Sequence, residues 1–294
     1  MAVVEVSVRV REREVVVADD SRAFMGLVSP RRLYFYCSFA GLWSTPFPEG
    51  GALVPQCELE GVVLLYMGTV LSAHKATPAI ERLWRVAVLA DDMVVAKAGR
   101  VFVVGTSRTL VLDARSGAQL LFLDVSYSSV LAVAHDGAEF LYVLDKHTLW
   151  RQSQRTCARE AWLEFARTPW PPLLDVSPTH VILGQRLYDN RRVQIELGQL
   201  LRCGAFPLPT FSRNKDSVFS FGGQNVLGLD GKELFSQELP ILYVGATHLV
   251  ERGPLGFGAR PRPGLASPSK EGPSIGAGDA SPRTLQPRPV CRKL

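Results

Sequence analysis

The chain lacks any segment that would place it in a membrane or direct it out of the cell. No apolar run in its 294 residues reaches the roughly 18 that a membrane-crossing helix needs. The first residues soon become charged and lack the basic start and apolar core of a signal peptide. The sequence therefore predicts no membrane partner and a cytoplasmic or nuclear location.

Cysteine is scarce and is spaced badly for cross-links or for zinc. Five copies stand at positions 37, 57, 157, 203 and 291, an odd number without a C-x-x-C pair. Disulfide frameworks need paired cysteines, and structural zinc sites need clustered ligands. We expect reduced thiols, with neither a disulfide framework nor a structural zinc site.

Catalytic motifs are also missing. The sequence has no Gly-x-Ser-x-Gly elbow, P-loop or Gly-x-Gly-x-x-Gly element. On a helix, His135 and Asp136 would offer two metal ligands, but Asp136-Gly137 is typical of a turn. Asp91-Asp92 would suit a cation, although a hairpin turn or a cap explains the pair better. The sequence predicts no catalytic residue, no metal, no cofactor and a protein that is not an enzyme.

The net charge of +5 is confined to the C-terminal part of the chain. Residues 253–294 hold seven basic and two acidic residues of the totals of 33 and 28, which leaves 26 of each in residues 1–252. A neutral body argues against nucleic acid as a partner, because phosphate affinity requires clustered Lys and Arg. The Arg-Pro pairs of the basic tail would suit SH3-like domains or acidic partners, although a plain linker or low-complexity end explains them better.

What the sequence does contain is a period of about 39 residues. Short apolar runs begin 39, 39, 41 and 37 residues apart, and a leucine follows each run at intervals of 39, 39, 38 and 40. The runs begin at Val62, Val101, Phe140, Val181 and Val218, and the leucines are Leu71, Leu110, Leu149, Leu187 and Leu227. A period near 40 built from short strands is typical of the blades of a β-propeller.

Residues 94–125 show one unit most clearly. Four short apolar runs are separated by turns that contain glycine, as in a four-stranded meander. Asp113 ends the third run, and Asp189 and Asp230 hold the same place in their repeats. We predict that these aspartates bind turn amides and take no part in catalysis.

Two repeats resemble those of known propeller families. In 109–120 and 225–235, a strand that ends in Asp is followed by a tight turn, which looks like a WD40-type or quinoprotein-type repeat. The resemblance implies an all-β chain that forms a β-propeller of six to seven blades, of about 39 residues each, within residues 1–252.

The two ends of the chain carry separate expectations. Residues 3–17 alternate apolar and polar side chains, which predicts a strand that closes the ring. A truncated, incomplete ring is the alternative, because the composition changes abruptly near residue 252. Residues 253–294 hold seven Gly and eight Pro and predict a disordered Pro/Gly/Arg-rich tail.

The absence of catalytic motifs favours a non-catalytic protein-interaction scaffold, a platform that acts as subunit or adaptor of a multiprotein complex. A partner is expected on the loops near 43–57, 84–92 and 167–172, because binding residues concentrate on loops over a rigid scaffold. The candidate anchors are Trp43, Trp84 and Trp170, although burial between blades explains each tryptophan better. One alternative is an enzyme or ligand-binding propeller with a site in the central channel. Another is a truncated variant of a larger seven-blade protein.

Overall fold

The computed structural model of the chain consists of strands and turns. It describes residues 16–19, 24–29, 32–37, 41–46, 52–54, 62–75, 81–169, 172–197, 209–212, 214–220, 222–245, 248–253 and 256–264. Within these ranges there are 27 strands in seven antiparallel sheets, six with four strands and the last with three. The predicted β-propeller is confirmed, and the described strands form seven blades. No helix in the described ranges is long and apolar enough to cross a membrane.

The sheets follow one another along the chain and are numbered here as blades 1 to 7. Blade 1 contains β1 (Val16–Asp19), β2 (Phe24–Ser29), β3 (Arg32–Cys37) and β4 (Gly41–Pro46). Blade 2 contains β5 (Ala52–Leu53), β6 (Val62–Met67), β7 (Val70–Lys75) and β8 (Glu81–Ala87). Blade 3 contains β9 (Met93–Lys97), β10 (Arg100–Val104), β11 (Arg108–Asp113) and β12 (Gln119–Asp124). Blade 4 contains β13 (Ala132–His135), β14 (Phe140–Leu144), β15 (Thr148–Ser153) and β16 (Arg159–Glu164).

The remaining blades have shorter strands. Blade 5 contains β17 (Leu174–Val176), β18 (His180–Leu183), β19 (Arg186–Asp189) and β20 (Gln194–Ile195). Blade 6 contains β21 (Pro209–Phe211), β22 (Ser217–Ser220), β23 (Asn225–Gly228) and β24 (Glu233–Ser236). Blade 7 contains β25 (Ile241–Val244), β26 (His248–Gly253) and β27 (Gly256–Pro261).

In blades 3 to 6 the first strand lies innermost in the ring. Strands β9, β13, β17 and β21 contact one another in that order, and β1 contacts β25. The last contact brings blades 7 and 1 together.

The hydrophobic core lies between neighbouring blades. Val101 and Val103 pack towards blade 2, whereas Phe102 and Val104, the alternate residues of β10, pack towards blade 4. All four side chains are fully buried. A strand that is covered on both faces can be apolar at every position, which explains the continuous apolar runs of the repeat.

The chain path gives the ring two different faces. We call the linker face the one that carries the connections from the last strand of a blade to the first strand of the next, such as 88–92, 125–131 and 165–173. The turns between second and third strands lie on the same face. The hairpin face carries the turns between first and second strands and between third and fourth strands, such as 136–139 and 114–118.

The boundary expected at residue 252 is wrong. Strand β27 (Gly256–Pro261) pairs with β26 along its whole length, from Gly253 opposite Gly256 to His248 opposite Pro261. Its glycines and proline are atypical of a strand, so the sequence did not predict it. Proline is tolerated here because β27 is the outer strand of the described sheet, where no ladder hydrogen bond is lost. The expected tail beyond residue 264, and residues 3–15 of the expected closing strand, lie outside the described residues.

Candidate functional site

The three loops predicted to bind a partner belong to one face of the ring. Loops 43–57, 84–92 and 167–172 each include a connection from a fourth strand to the next first strand, namely β4 to β5, β8 to β9 and β16 to β17. All such connections lie on the linker face. For the first loop, the structure describes only the flanking strands.

Buried carboxylates fix the connections on this face. Asp145, which follows β14, accepts hydrogen bonds from the backbone nitrogens of Ser128 and Ser129 at 3.1 and 2.9 Å and from their hydroxyls at 2.6 and 3.0 Å. Burial opposes its ionisation, but the hydrogen bonds from Ser128, Lys146 and Ser129 prevail and lower the pKa of Asp145 to about 2. The connection between blades 3 and 4 is therefore held by an ionised carboxylate.

Asp92 plays a similar part between blades 2 and 3. Its Oδ2 accepts a hydrogen bond from the backbone nitrogen of Leu89 at 2.8 Å and lies 3.3 Å from Nη2 of Arg108. Leu89 itself is 57% exposed in this loop. The Asp91-Asp92 pair thus forms a capped turn, as the sequence favoured, and it presents an apolar side chain to solvent.

A cavity of about 340 Å³ opens beside the connection between blades 4 and 5. Its wall combines this connection with the turn between β18 and β19. The lining residues are Phe165, Arg167, Thr168, Pro169, Leu183, Gly184, Gln185, Arg186 and Tyr188. The side chains of Leu183 and Tyr188 are buried, whereas Arg167 and Arg186 are exposed. The cavity therefore has an apolar floor and two guanidinium groups near the solvent.

The three tryptophans proposed as anchors have different outcomes. Trp84 is only 9% exposed, and its Nε1 donates a 2.8 Å hydrogen bond to the carbonyl oxygen of Ala114 in blade 3. The prediction that Trp84 binds a partner is therefore wrong, because its indole joins two blades. Trp43 lies in β4 opposite Phe35, and the structure does not describe its side chain. Trp170 lies outside the described residues.

Trp162 repeats the role of Trp84 two blades further on. It is fully buried and meets the rings of Tyr142 in its own blade and Tyr188 in blade 5 edge-on, with centroid distances of 5.9 and 6.4 Å. Both tryptophans occupy the fourth position of a fourth strand, in β8 and β16. That shared place in the repeat was the sequence signal for burial between blades.

The aspartates at equivalent repeat positions bind turn amides, as predicted. Oδ1 of Asp113 accepts hydrogen bonds from the nitrogens of Arg115 and Ser116 at 3.1 and 2.8 Å. Asp189 accepts from two amides of its own turn, and Asp230 accepts from the nitrogen of Lys232 at 3.1 Å. The backbone hydrogen bond from Ser116 is the first cause that lowers the pKa of Asp113.

Basic groups from different blades meet on the hairpin face. His135, at the end of β13, is buried and stacks on Phe102 at 4.6 Å between ring centroids. Burial lowers the pKa of His135 to about 3, and the positive charges of Lys97, Arg100 and Lys215 add to the effect. Lys215 comes from blade 6 and donates a hydrogen bond from Nζ to the carbonyl of Val176 in blade 5. We call Lys97, Arg100, His135 and Lys215 the basic cluster.

The structure also locates the residues considered for metal binding. Oδ1 of Asp136 accepts hydrogen bonds from the backbone nitrogens of Ala138, Glu139 and Phe140 at 2.8 to 3.0 Å, so Asp136 and the glycine after it form the expected turn. Within the described part of the chain, no three His, Cys, Asp or Glu side chains lie close enough together to hold a metal ion.

Comparison with known proteins supports the fold. No family model and no curated protein matches the chain. Among solved structures, it is similar to a chain of the mitotic checkpoint complex, with 10% identity, 88% of this chain and 93% of the other covered, and a TM-score of 0.57. It is also similar to PorZ, a surface component of the type-IX secretion system of Porphyromonas gingivalis, with 14% identity and a TM-score of 0.54. The fold is a β-propeller.

The extent of these matches differs. The similarity to PorZ covers 86% of this chain but only 37% of PorZ. BamB from Moraxella catarrhalis is 14% identical, with 83% of this chain and 80% of BamB covered and a TM-score of 0.49. Likenesses at such low identity concern the fold alone.

Proposed function

We propose that this protein is a non-catalytic scaffold that binds a partner protein through the linker face of its propeller. The observation that carries the proposal is that the described parts of the three predicted loops, and the Arg-rimmed cavity, lie on that one face. The buried carboxylates Asp92 and Asp145 hold the connections in place, and a fixed loop loses little conformational entropy when a partner binds.

The similar structures give this proposal some support. One of them is part of the mitotic checkpoint complex and another is a component of a secretion system, so both belong to multiprotein assemblies. We extend that general role, assembly with other proteins, to this chain.

The test compares two exposed leucines on different surfaces. Leu89 is 57% exposed on the linker face, and Leu120 is 53% exposed on β12, the outer strand of blade 3. Tagged wild-type protein, Leu89→Asp and Leu120→Asp are purified from cells under identical conditions, and the bound proteins are quantified. We expect a stoichiometric partner that Leu89→Asp loses at least tenfold and Leu120→Asp retains, since a buried carboxylate without a counter-charge is strongly unfavourable.

Two outcomes contradict the proposal. Equal retention by Leu89→Asp and the wild type would remove the linker face as the binding surface, provided that both variants unfold at the wild-type temperature. Absence of any stoichiometric protein from all three purifications would remove the scaffold function itself.

A further variant that ends at Gly264 shows whether a partner binds the basic tail instead of the ring.

A second candidate function rests on the basic cluster. The interactions around His135 join blades 3, 4, 5 and 6, with Lys97 and Arg100 from blade 3 and Lys215 from blade 6. Convergence of polar groups from several blades is what a ligand site on the ring axis requires. This arrangement favours a small anion as the ligand of such a site, because three of the four groups are positively charged.

A further inference from the structure

The cavity between blades 4 and 5 has positive charge that the described structure does not neutralise. None of its nine lining residues is acidic. The guanidinium groups of Arg167 and Arg186 make no hydrogen bond or ion pair with any residue in the described part of the chain. By contrast, Arg108 on the same face lies 3.3 Å from Asp92. The cavity therefore attracts a group of negative charge.

The inner part of the cavity favours an apolar group. Leu183, Gly184 and Tyr188 are buried, and Phe165 and Pro169 are half-buried. The volume of about 340 Å³ lies at the small end of the roughly 300–1,000 Å³ that ligand pockets span. It suits one or two side chains of a peptide.

The walls are held in place by hydrogen bonds to neighbouring turns and strands. The nitrogen of Phe165 donates to the carbonyl of His147 at 2.8 Å, and the hydroxyl of Thr168 donates to the carbonyl of Lys146 at 2.8 Å. On the opposite wall, the nitrogen of Gly184 donates to the carbonyl of Leu173 at 2.8 Å. A cavity with fixed walls binds without first having to order them.

We propose that this cavity binds an acidic segment of the partner protein, in which an Asp or Glu lies next to an aromatic or large aliphatic residue. The carboxylate would pair with Arg167 and Arg186, whose planar forks match carboxylate geometry, and the apolar side chain would enter the pocket. Nucleic acid fits less well, because its affinity depends on many clustered cations and the cavity has two. The inference rests on the proposed scaffold function and specifies the partner's chemistry.

The test selects ligands from random peptides, so the partner need not be identified first. A display library of random peptides is panned on the wild-type protein, and the enriched peptides are synthesised with a fluorescent label. Their affinities are measured by fluorescence anisotropy for wild type, Arg167→Gln, Arg186→Gln and Arg191→Gln. Arg191 is an exposed arginine on the hairpin face and serves as the matched control.

We expect acidic residues beside an aromatic or aliphatic residue in the enriched peptides. Arg167→Gln and Arg186→Gln should each weaken binding about tenfold or more, and Arg191→Gln should leave it unchanged, because a hydrogen bond to a charged group contributes that much. Replacement of the peptide's Asp or Glu by Asn or Gln should weaken binding similarly.

Several results would overturn the inference. These are enriched peptides without acidic residues, unchanged affinity in both arginine variants, and tighter binding of inorganic phosphate or of anionic phospholipid vesicles than of any enriched peptide. If Arg167→Gln and Arg186→Gln bind the peptides as tightly as the wild type while Leu89→Asp still loses the cellular partner, the acidic-segment inference is wrong and the scaffold function is retained. If acidic peptides bind the cavity but no cellular protein is retained, the scaffold function falls instead.

Discussion

Protonation of His135 should oppose folding, since the folded protein holds this side chain in its neutral form. The imidazole side chain is 1% exposed, and its Nδ1 accepts a 2.9 Å hydrogen bond from the nitrogen of Gly137. Burial and the charges of Lys97, Arg100 and Lys215 lower the pKa of His135 to about 3. The carboxylate of Asp136 lies 3.9 Å from Nδ1, but it already accepts three hydrogen bonds from its own turn.

The size of the effect follows from linkage between protonation and folding. A histidine in the unfolded chain has a pKa of about 6.5. Below that pH the unfolded state therefore binds a proton that the folded state does not bind. The contribution of His135 to the free energy of unfolding is therefore fully present above this pH. It decreases as the pH falls towards 3, by up to about 1.4 kcal/mol per pH unit. Between pH 7 and pH 5, His135 should reduce the free energy of unfolding by about 2 kcal/mol.

Urea unfolding, followed by tryptophan fluorescence at pH 5, 6, 7 and 8, measures this loss. His135→Gln keeps a polar side chain in place and removes the titration, and His147→Gln removes an exposed histidine as the control. The wild type and His147→Gln should lose about 2 kcal/mol more than His135→Gln between pH 7 and pH 5. His74 and His180, whose pKa values burial also lowers, are present in all three proteins and cancel. Parallel pH profiles of wild type and His135→Gln would refute the reasoning.

Two further predictions concern the blade contacts and the basic cluster. Gly117→Ala should reduce the free energy of unfolding by about 1–3 kcal/mol more than Gly68→Ala, because both glycines have positive φ but only at Gly117 would a Cβ lie 2.7 Å from Trp84. If both variants lose the same free energy of unfolding in urea, the indole of Trp84 moves aside without cost and the reasoning is wrong. If the basic cluster binds an anion, phosphate should raise the melting temperature of the wild type and of Lys232→Gln but not of Lys215→Gln; an equal rise in all three would contradict the site.

The repeat was predictable from the sequence because each blade is buried on both faces. Val101 to Val104 are apolar at four successive positions, two facing blade 2 and two facing blade 4. Such runs recur once per blade, so their spacing revealed the number of residues in a blade. Strand β27 escaped prediction because it belongs to the last described blade, where glycine and proline replace the apolar run.

The site was less predictable because it depends on which blades become neighbours. Turn aspartates such as Asp113 act within a few residues of themselves, and local sequence was enough to predict them. The burial of Trp84 depends on Ala114 in the next blade, and the cavity unites Arg167 with Arg186 across a blade boundary. The sequence within one repeat does not predict contacts between blades, since these contacts arise only when the blades stack.

The stacking of the blades also constrains the two faces of the ring differently. On the hairpin face, the described turns after the third strands have four or five residues each, and the preceding blade packs on them, as Trp84 does at Gly117. A turn on which the preceding blade packs has little freedom to change. The connections on the linker face vary more in length, from four residues in 237–240 to nine in 165–173, of which the structure describes all but 170–171. The described part of 165–173 frames the cavity, so the cavity lies in the part of the repeat that stacking constrains least.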